Sequence, residues 1–176
     1  MTCESQDDIL QNMNLDEKLL LSPYISEGQR DLLHVGFHLL EHVVGQDEKL
    51  FADYSFVVFP FAKAYEGFLK QAFLDAGFIT QKDFVSNYFR VGKAMSPNLV
   101  RKLGNRSVYK QICDRVNCEL SEHIWQTWKA ARNEVFHYFP HNIRSLTLAE
   151  AKERVALITD SMKDITQILV QHQQAQ

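Results

Sequence analysis

Ser121–Asn142, SEHIWQTWKAARNEVFHYFPHN, is the stretch from which the rest of the chain can be read. Ile124, Trp128, Ala131 and Val135 recur at three- and four-residue spacing, which lays one apolar stripe along a helix. Ser121 can cap its first free N–H groups, and Pro140 is expected to stop it. A helix that only fills a core has no need of Arg132, Asn133 and His137 near its end. At about 100° per residue, Asn133 and His137 fall one turn apart on one face, and Arg132 lies on the adjoining edge with a side chain long enough to reach round. The spacing predicts three polar groups converging on one small anion.

Helices are expected on both sides of this stretch. Upstream, Ser107 opens a helix with Val108, Ile112 and Val116 in register, running to a break between Asn117 and Leu120. Downstream, Thr147-Leu-Ala-Glu150 is a capping box that starts a long final helix, with Leu148, Val155, Ile158, Met162, Ile165 and Leu169 facing inward. A helix from about Asp53 to Ala76 ends at Gly77, kinks at Pro60 and buries Val57, Phe61, Ala64, Phe68 and Ala72. Glu66 lies off that stripe, where its plain role is an ion pair with Lys70; the plain role of Asp53 is the helix cap. Ser26-Glu-Gly-Gln29 is another capping box, leading into a helix that ends near Gly45 with Leu32, Leu33, Val35, Leu39, Leu40, Val43 and Val44 as its apolar set. His34, His38 and His42 repeat along it at metal-ligand spacing, but no carboxylate shares their face, and we read them as a decoy.

No segment alternates at period two, and no glycine-rich phosphate loop is present. The expected fold is all-α, an up-and-down bundle of four to five main helices with a short basic insertion. Residues 1–22 are expected as a loosely docked arm and 23–176 as one domain.

With 176 residues and 45% apolar content, the chain suits a single core and excludes disorder. It has no apolar run long enough for a membrane span, and MTCESQDD has no signal-peptide character, so the expected location is cytoplasmic, with no membrane partner. Cys3, Cys113 and Cys118 lack CxxC spacing and read as ordinary thiols. The net charge of −3 hides an asymmetry. Between Lys82 and Arg115, the bases Lys82, Arg90, Lys93, Arg101, Lys102, Arg106, Lys110 and Arg115 face only Asp83 and Asp114. A phosphate backbone would be drawn there, with Lys93, Arg101, Lys102, Arg106 and Lys110 as the candidate RNA contacts. The plainer reading of such a run is a solvated face.

Arg132-Asn133-Glu134-Val135-Phe136-His137, near a helix end in an all-helical chain, resembles the signature of HEPN-superfamily ribonucleases. The preceding helix, DYSFVVFPFAKAYEGFLK at 53–70, is similar to the second helix of HEPN domains in ribonuclease LS type toxins of toxin–antitoxin systems. The resemblance implies a HEPN-like bundle and a toxin or phage-defence endoribonuclease that needs no metal or cofactor. His137 would move the proton as a ribose 2′-hydroxyl attacks the adjacent phosphate, Arg132 would hold the phosphoryl oxygens, and Asn133 would orient one or the other. A free imidazole, which titrates at about 6.5, suits that exchange. Glu66, and after it Asp53, would be the contributing acids. The products would be a 2′,3′-cyclic phosphate and a 5′-hydroxyl. The cleft would be shared across a homodimer, with Tyr138 and Phe139 at the rim, and an antitoxin or other regulatory protein is a further possible partner. The alternative is a HEPN-like module that binds RNA or protein without cutting. What separates the two is whether His137 is exposed in a groove with Arg132 or packed away.

Overall fold

In the computed structural model, residues 25–46, 50–138 and 140–174 are described, so the expected arm at 1–22 and the rim residue Phe139 lie outside the described residues. Helix α1 (Glu27–Val43) starts at the predicted capping box: the Gln29 N–H donates to Ser26 Oγ, and the Ser26 N–H donates to Gln29 Oε1 at 3.2 Å. Leu33, Gly36 and Val43 are buried. Val35, expected in the apolar set, is exposed instead, because it stands about 200° round the helix from Leu33, on the side of His34 and His38.

Helix α2 (Ser55–Asp75) is the centre of the core. The expected stripe of Val57, Phe61, Ala64, Phe68 and Ala72 is buried, and so are Val58, Tyr65, Leu69 and Phe73 beside it, so α2 is covered on more than one side. It continues through Pro60 without interruption and ends at Asp75, with Ala76 as its C-cap and Gly77 at φ 68° turning the chain away.

Three short helices come next, α3 (Gln81–Val85), α4 (Val91–Ala94) and α5 (Val100–Leu103), separated by turns. This is the expected insertion. Its first helix has a capping box that the sequence reading does not include, in which Asp83 N–H donates to Thr80 Oγ1 at 3.2 Å and Thr80 Oγ1 donates to Asp83 Oδ2 at 2.7 Å. Beyond the insertion, Arg115 ties the chain back to the end of α2: its guanidinium donates to the Ala76 carbonyl at 2.9 Å and lies over the Phe78 ring.

Helix α6 (Val108–Arg115) is capped by Ser107 as expected. Helix α7 (Cys118–Trp128) is not capped by Ser121: Asn117 Oδ1 accepts from the Leu120 N–H at 2.7 Å, and Ser121 is buried one turn inside, donating to the Tyr109 carbonyl at 2.6 Å. Two good capping residues stand four positions apart, and the tight turn at Val116 selects the earlier one. The same turn corrects the reading of the cysteines. Cys113 and Cys118, with Cα atoms 4.1 Å apart, form a disulfide, a pairing that sequence spacing alone does not reveal.

After α7 come an irregular turn, α8 (Glu134–Phe136), and then α9 (Leu148–Gln174), opened by the predicted Thr147–Glu150 capping box. Leu148, Val155, Ile158, Met162 and Ile165 are buried as expected; the Leu169 side chain lies outside the described residues.

Side-chain pairings give the directions. A Cβ on Gly36 would meet the Phe61 ring and one on Gly67 would meet Gln29, so α1 and α2 run antiparallel. Phe59 meets Phe136, and Tyr65 meets Trp128, so the α7–α8 arm is antiparallel to α2. Tyr54 N–H donates to Leu146 O at 2.9 Å and Tyr65 Oη pairs with Ser161 Oγ at 2.8 Å, so α9 runs alongside α2 in the same sense. The four main helices thus alternate up and down in chain order, with the insertion between the second and third. No strand occurs among the described residues, and no helix there is long and apolar enough to cross a membrane.

Candidate anion site at a pi-helical turn

The stripe Ile124, Trp128, Ala131, Val135 faces the core as its spacing predicts. The polar set on the other side is arranged differently from the expectation. Residues Lys129–Asn133 form a π-helical turn in which the Glu134 N–H bonds to the Lys129 carbonyl, five residues back instead of four. Such a bulge inserts one extra residue into a turn and so rotates the side chains beyond it; bulges of this kind occur often at functional sites. The helix also ends before Pro140. Phe136 is its last residue, and His137 is already extended (φ −91°, ψ 121°) and exposed. His137 thus stands at the helix end as its C-terminal cap.

The π-turn opens onto a cleft of about 230 Å³ lined by Glu66, Arg90, Val91, Gly92, Lys93, Trp128, Arg132 and Asn133. Arg132 Nη2 stands 3.8 Å from Glu66 Oε2, and its guanidinium lies over the Trp128 ring, 5.4 Å from the centroid. Neither group takes its nearest partner in sequence. Lys70 is placed over the Phe89 ring instead of beside Glu66, and Glu134 pairs with Lys129 at 3.8 Å. The sequence-predicted Arg132, Asn133 and Glu66 come together, and His137 does not line the cleft.

Asp53 has a different place. Its carboxylate accepts from the Ser55 N–H at 2.9 Å, the Ser55 hydroxyl at 2.6 Å, Asn142 Nδ2 at 3.0 Å and the Leu146 N–H at 3.2 Å. The helix cap expected at Asp53 is Tyr54 instead, which makes no side-chain cap; Asp53, one residue earlier, holds the first residue of α2 and ties it to the 140–146 segment, where His141 and Asn142 have positive φ. Partial burial works to raise this carboxyl, but the hydrogen bonds from Asn142, Ser55 and Leu146 outweigh it and hold the group below its ordinary value.

Of the five candidate RNA contacts, Lys93 alone lines the cleft. Arg101, Lys102 and Arg106 are exposed along the insertion, and Lys110 is paired with Asp114. Arg90, Gly92 and Trp128 are members of the site that sequence reasoning did not assign to it. Arg90 was visible only as one base among eight, and Trp128 only as a core residue. Tyr138, the expected rim residue, is largely exposed.

The histidine stripe of α1 is exposed throughout; the His38 and His42 rings lie 4.1 Å apart, with His42 Nδ1 2.9 Å from the His38 carbonyl. Among the described residues, no group of three His, Cys, Asp or Glu side chains is placed to hold a metal ion.

Arg90, Lys93 and Arg132 set three positive charges against the one carboxylate of Glu66, so the cleft attracts anions. With a guanidinium fork and an amide on its wall, it can hold phosphoryl oxygens and stabilise added negative charge on them. Set against models of protein families, curated proteins and solved structures, the chain matches none of them.

Proposed function

We propose that the protein is a metal-independent endoribonuclease of the HEPN type, acting as a toxin or in phage defence. The observation that carries this reading is the meeting of Glu66, Arg132 and Asn133 in one cationic cleft, from elements more than sixty positions apart in the chain. In this reading Arg132 holds the scissile phosphate and counters the charge that builds on it, Asn133 orients the phosphoryl oxygens, and Glu66 keeps the guanidinium in place. His137 takes the proton from the attacking 2′-hydroxyl, the bond to the 5′-oxygen breaks, and that oxygen leaves as a 5′-hydroxyl by taking a proton from an imidazolium or from water, which leaves a 2′,3′-cyclic phosphate.

One copy of the motif supplies one histidine, His137, and it does not line the cleft of its own protomer. We therefore place catalysis in a symmetric homodimer, in which a two-fold axis brings two copies of the motif face to face. Tyr138, and Phe59 packed edge-on to Phe136, are exposed aromatic groups suited to such a contact. The test is incubation of the pure protein with RNA in EDTA. Cleavage to cyclic-phosphate ends, resistance of an all-deoxy substrate, and loss of cleavage in His137→Ala are the expected results. Activity that depends on added zinc or manganese and disappears with His38→Ala would move the chemistry to the α1 histidines.

The position of His137 outside the cleft favours a second reading, a HEPN-like module that holds RNA or a partner protein without cutting. Tight RNA binding with no cyclic-phosphate product at any enzyme concentration would select it.

A further inference from the structure

Within the proposed RNA-cleaving role, Arg90 and Lys93 have no assigned task, and neither does the buried edge of Trp128. Helix α4 mounts the two bases firmly: Val91 and Ala94 are buried beneath it, and Arg90 Nη1 donates to the Asn87 and Phe89 carbonyls, which orients the side chain. Lys93 is exposed on the cleft wall, and its ammonium has no ion pair or hydrogen bond among the described residues. Trp128 is 3% exposed, and its indole N–H has no acceptor among the described residues although the residue lines the cleft. A buried donor without an acceptor is costly, and an oxygen ligand is what this group lacks. Beside it stands Gly92, where a Cβ would lie 2.6 Å from the indole nitrogen, so only a residue without a side chain lets the α4 backbone pack this closely against the donor.

We propose that Lys93, Arg90 and the Trp128 indole N–H form a second phosphate subsite, which holds a backbone phosphate of the RNA next to the one at Arg132. The identity of the ligand as RNA rests on the proposed function, whereas the anion site rests on the cleft itself. Two cations and a neutral donor suit a phosphodiester. The subsite sets where along the strand the scissile bond falls, since a phosphate contact positions the chain without reading its bases.

The experiment tracks the indole N–H signals of the two tryptophans, Trp125 and Trp128, by ¹⁵N NMR while inorganic phosphate, and then an all-deoxy oligonucleotide, is added to the full-length protein. The expected result is movement of the Trp128 signal with both ligands. Lys93→Ala is expected to weaken oligonucleotide binding about tenfold and to lower the salt slope by about 0.7, the value for one contact to a single strand. Lys152→Ala, the same charge change on α9, is expected to bind like the wild type. A Trp128 signal unmoved by phosphate, or a Lys93→Ala variant with wild-type affinity, overturns the subsite even if RNA is cleaved. Movement of Trp128 together with weakened Lys93→Ala binding, but without RNA cleavage, sustains the subsite and removes the nuclease. Oligonucleotides with 5′-phosphate and 5′-hydroxyl ends are expected to bind equally; binding that requires the 5′-phosphate would assign the site to a terminal phosphate and overturn the backbone placement.

Discussion

Helix α2 and the α7–α8 arm each give a charged residue to the same cleft, and they do it from opposite kinds of backbone. α2 contains a proline at its sixth position and is unbroken from Ser55 to Asp75. The arm has no proline between Cys118 and Phe136, yet it widens to a π-turn where Arg132 and Asn133 sit. A proline removes one hydrogen bond and crowds one preceding turn, and burial of α2 on more than one side opposes that cost. The π-turn adds a residue to a turn, which changes the direction of every side chain after it relative to those before. Irregularity in this bundle is thus located where polar groups have to be aimed, and regularity where apolar ones have to be packed.

The largest expected effect tests the packed side. Phe61→Ala removes a fully buried ring that meets Phe37 edge-on and lies against Gly36, and should cost about 3–5 kcal/mol in urea unfolding. Cleavage per folded molecule should be unchanged, which would separate the core's role from the site's. Next, Arg132→Ala should lower the cleavage rate by about 10²- to 10³-fold. Its loss should change stability by no more than about 1 kcal/mol, because its pairing with Glu66 is partly solvent-screened. Early melting of that variant would make the guanidinium a structural group and erase the contrast.

Deleting Ala130 tests the π-turn itself. With one residue fewer, the turn can return to four-back hydrogen bonding, and Arg132 and Asn133 should be turned away from the cleft. We expect retained helical content by circular dichroism and about a hundredfold loss of cleavage. Equal activity would mean that the bulge is incidental.

The smallest effect concerns pH. The Asp53 carboxyl is held low by its hydrogen bonds, against the opposing effect of partial burial; Asp83 is held low by Thr80, Glu122 by Gln126 and Tyr109, and Glu150 by Thr147. Because the folded values lie below the unfolded ones, these groups stabilise the fold fully above the unfolded values of 3.8 for Asp and 4.5 for Glu, and the stabilisation is lost as pH falls through the folded values. The melting temperature should therefore drop as pH is lowered from 5 to 3, and Asp53→Asn should flatten part of that drop. None of these four carboxylates lines the cleft, so at pH 7 the Asp53→Asn variant should cleave RNA at the wild-type rate.

Much of the bundle was legible in the residues alone, for local reasons. The Ser26 and Thr147 capping boxes, the Ser107 cap, the stop at Gly77, and the stripes of α2, α6 and α9 all depend on neighbours within a turn or two, which is the range over which a one-dimensional pattern carries information. Arg132, Asn133 and Glu66 could be chosen for the same reason, as polar residues out of place on helices with apolar tasks. Tertiary structure decided what those residues touch. That Glu66 meets Arg132 and not Lys70, that Arg90 and Lys93 turn into the same cleft, that Cys113 closes on Cys118 and that Asp53 serves a segment about ninety residues away all depend on how elements dock. The π-turn belongs with them. Its sequence, Lys-Ala-Ala-Arg-Asn, contains no residue that forbids an ordinary α-turn, so local propensity is silent on it, and the extra residue is accommodated while Trp128, Ala131 and Val135 stay buried on the core side.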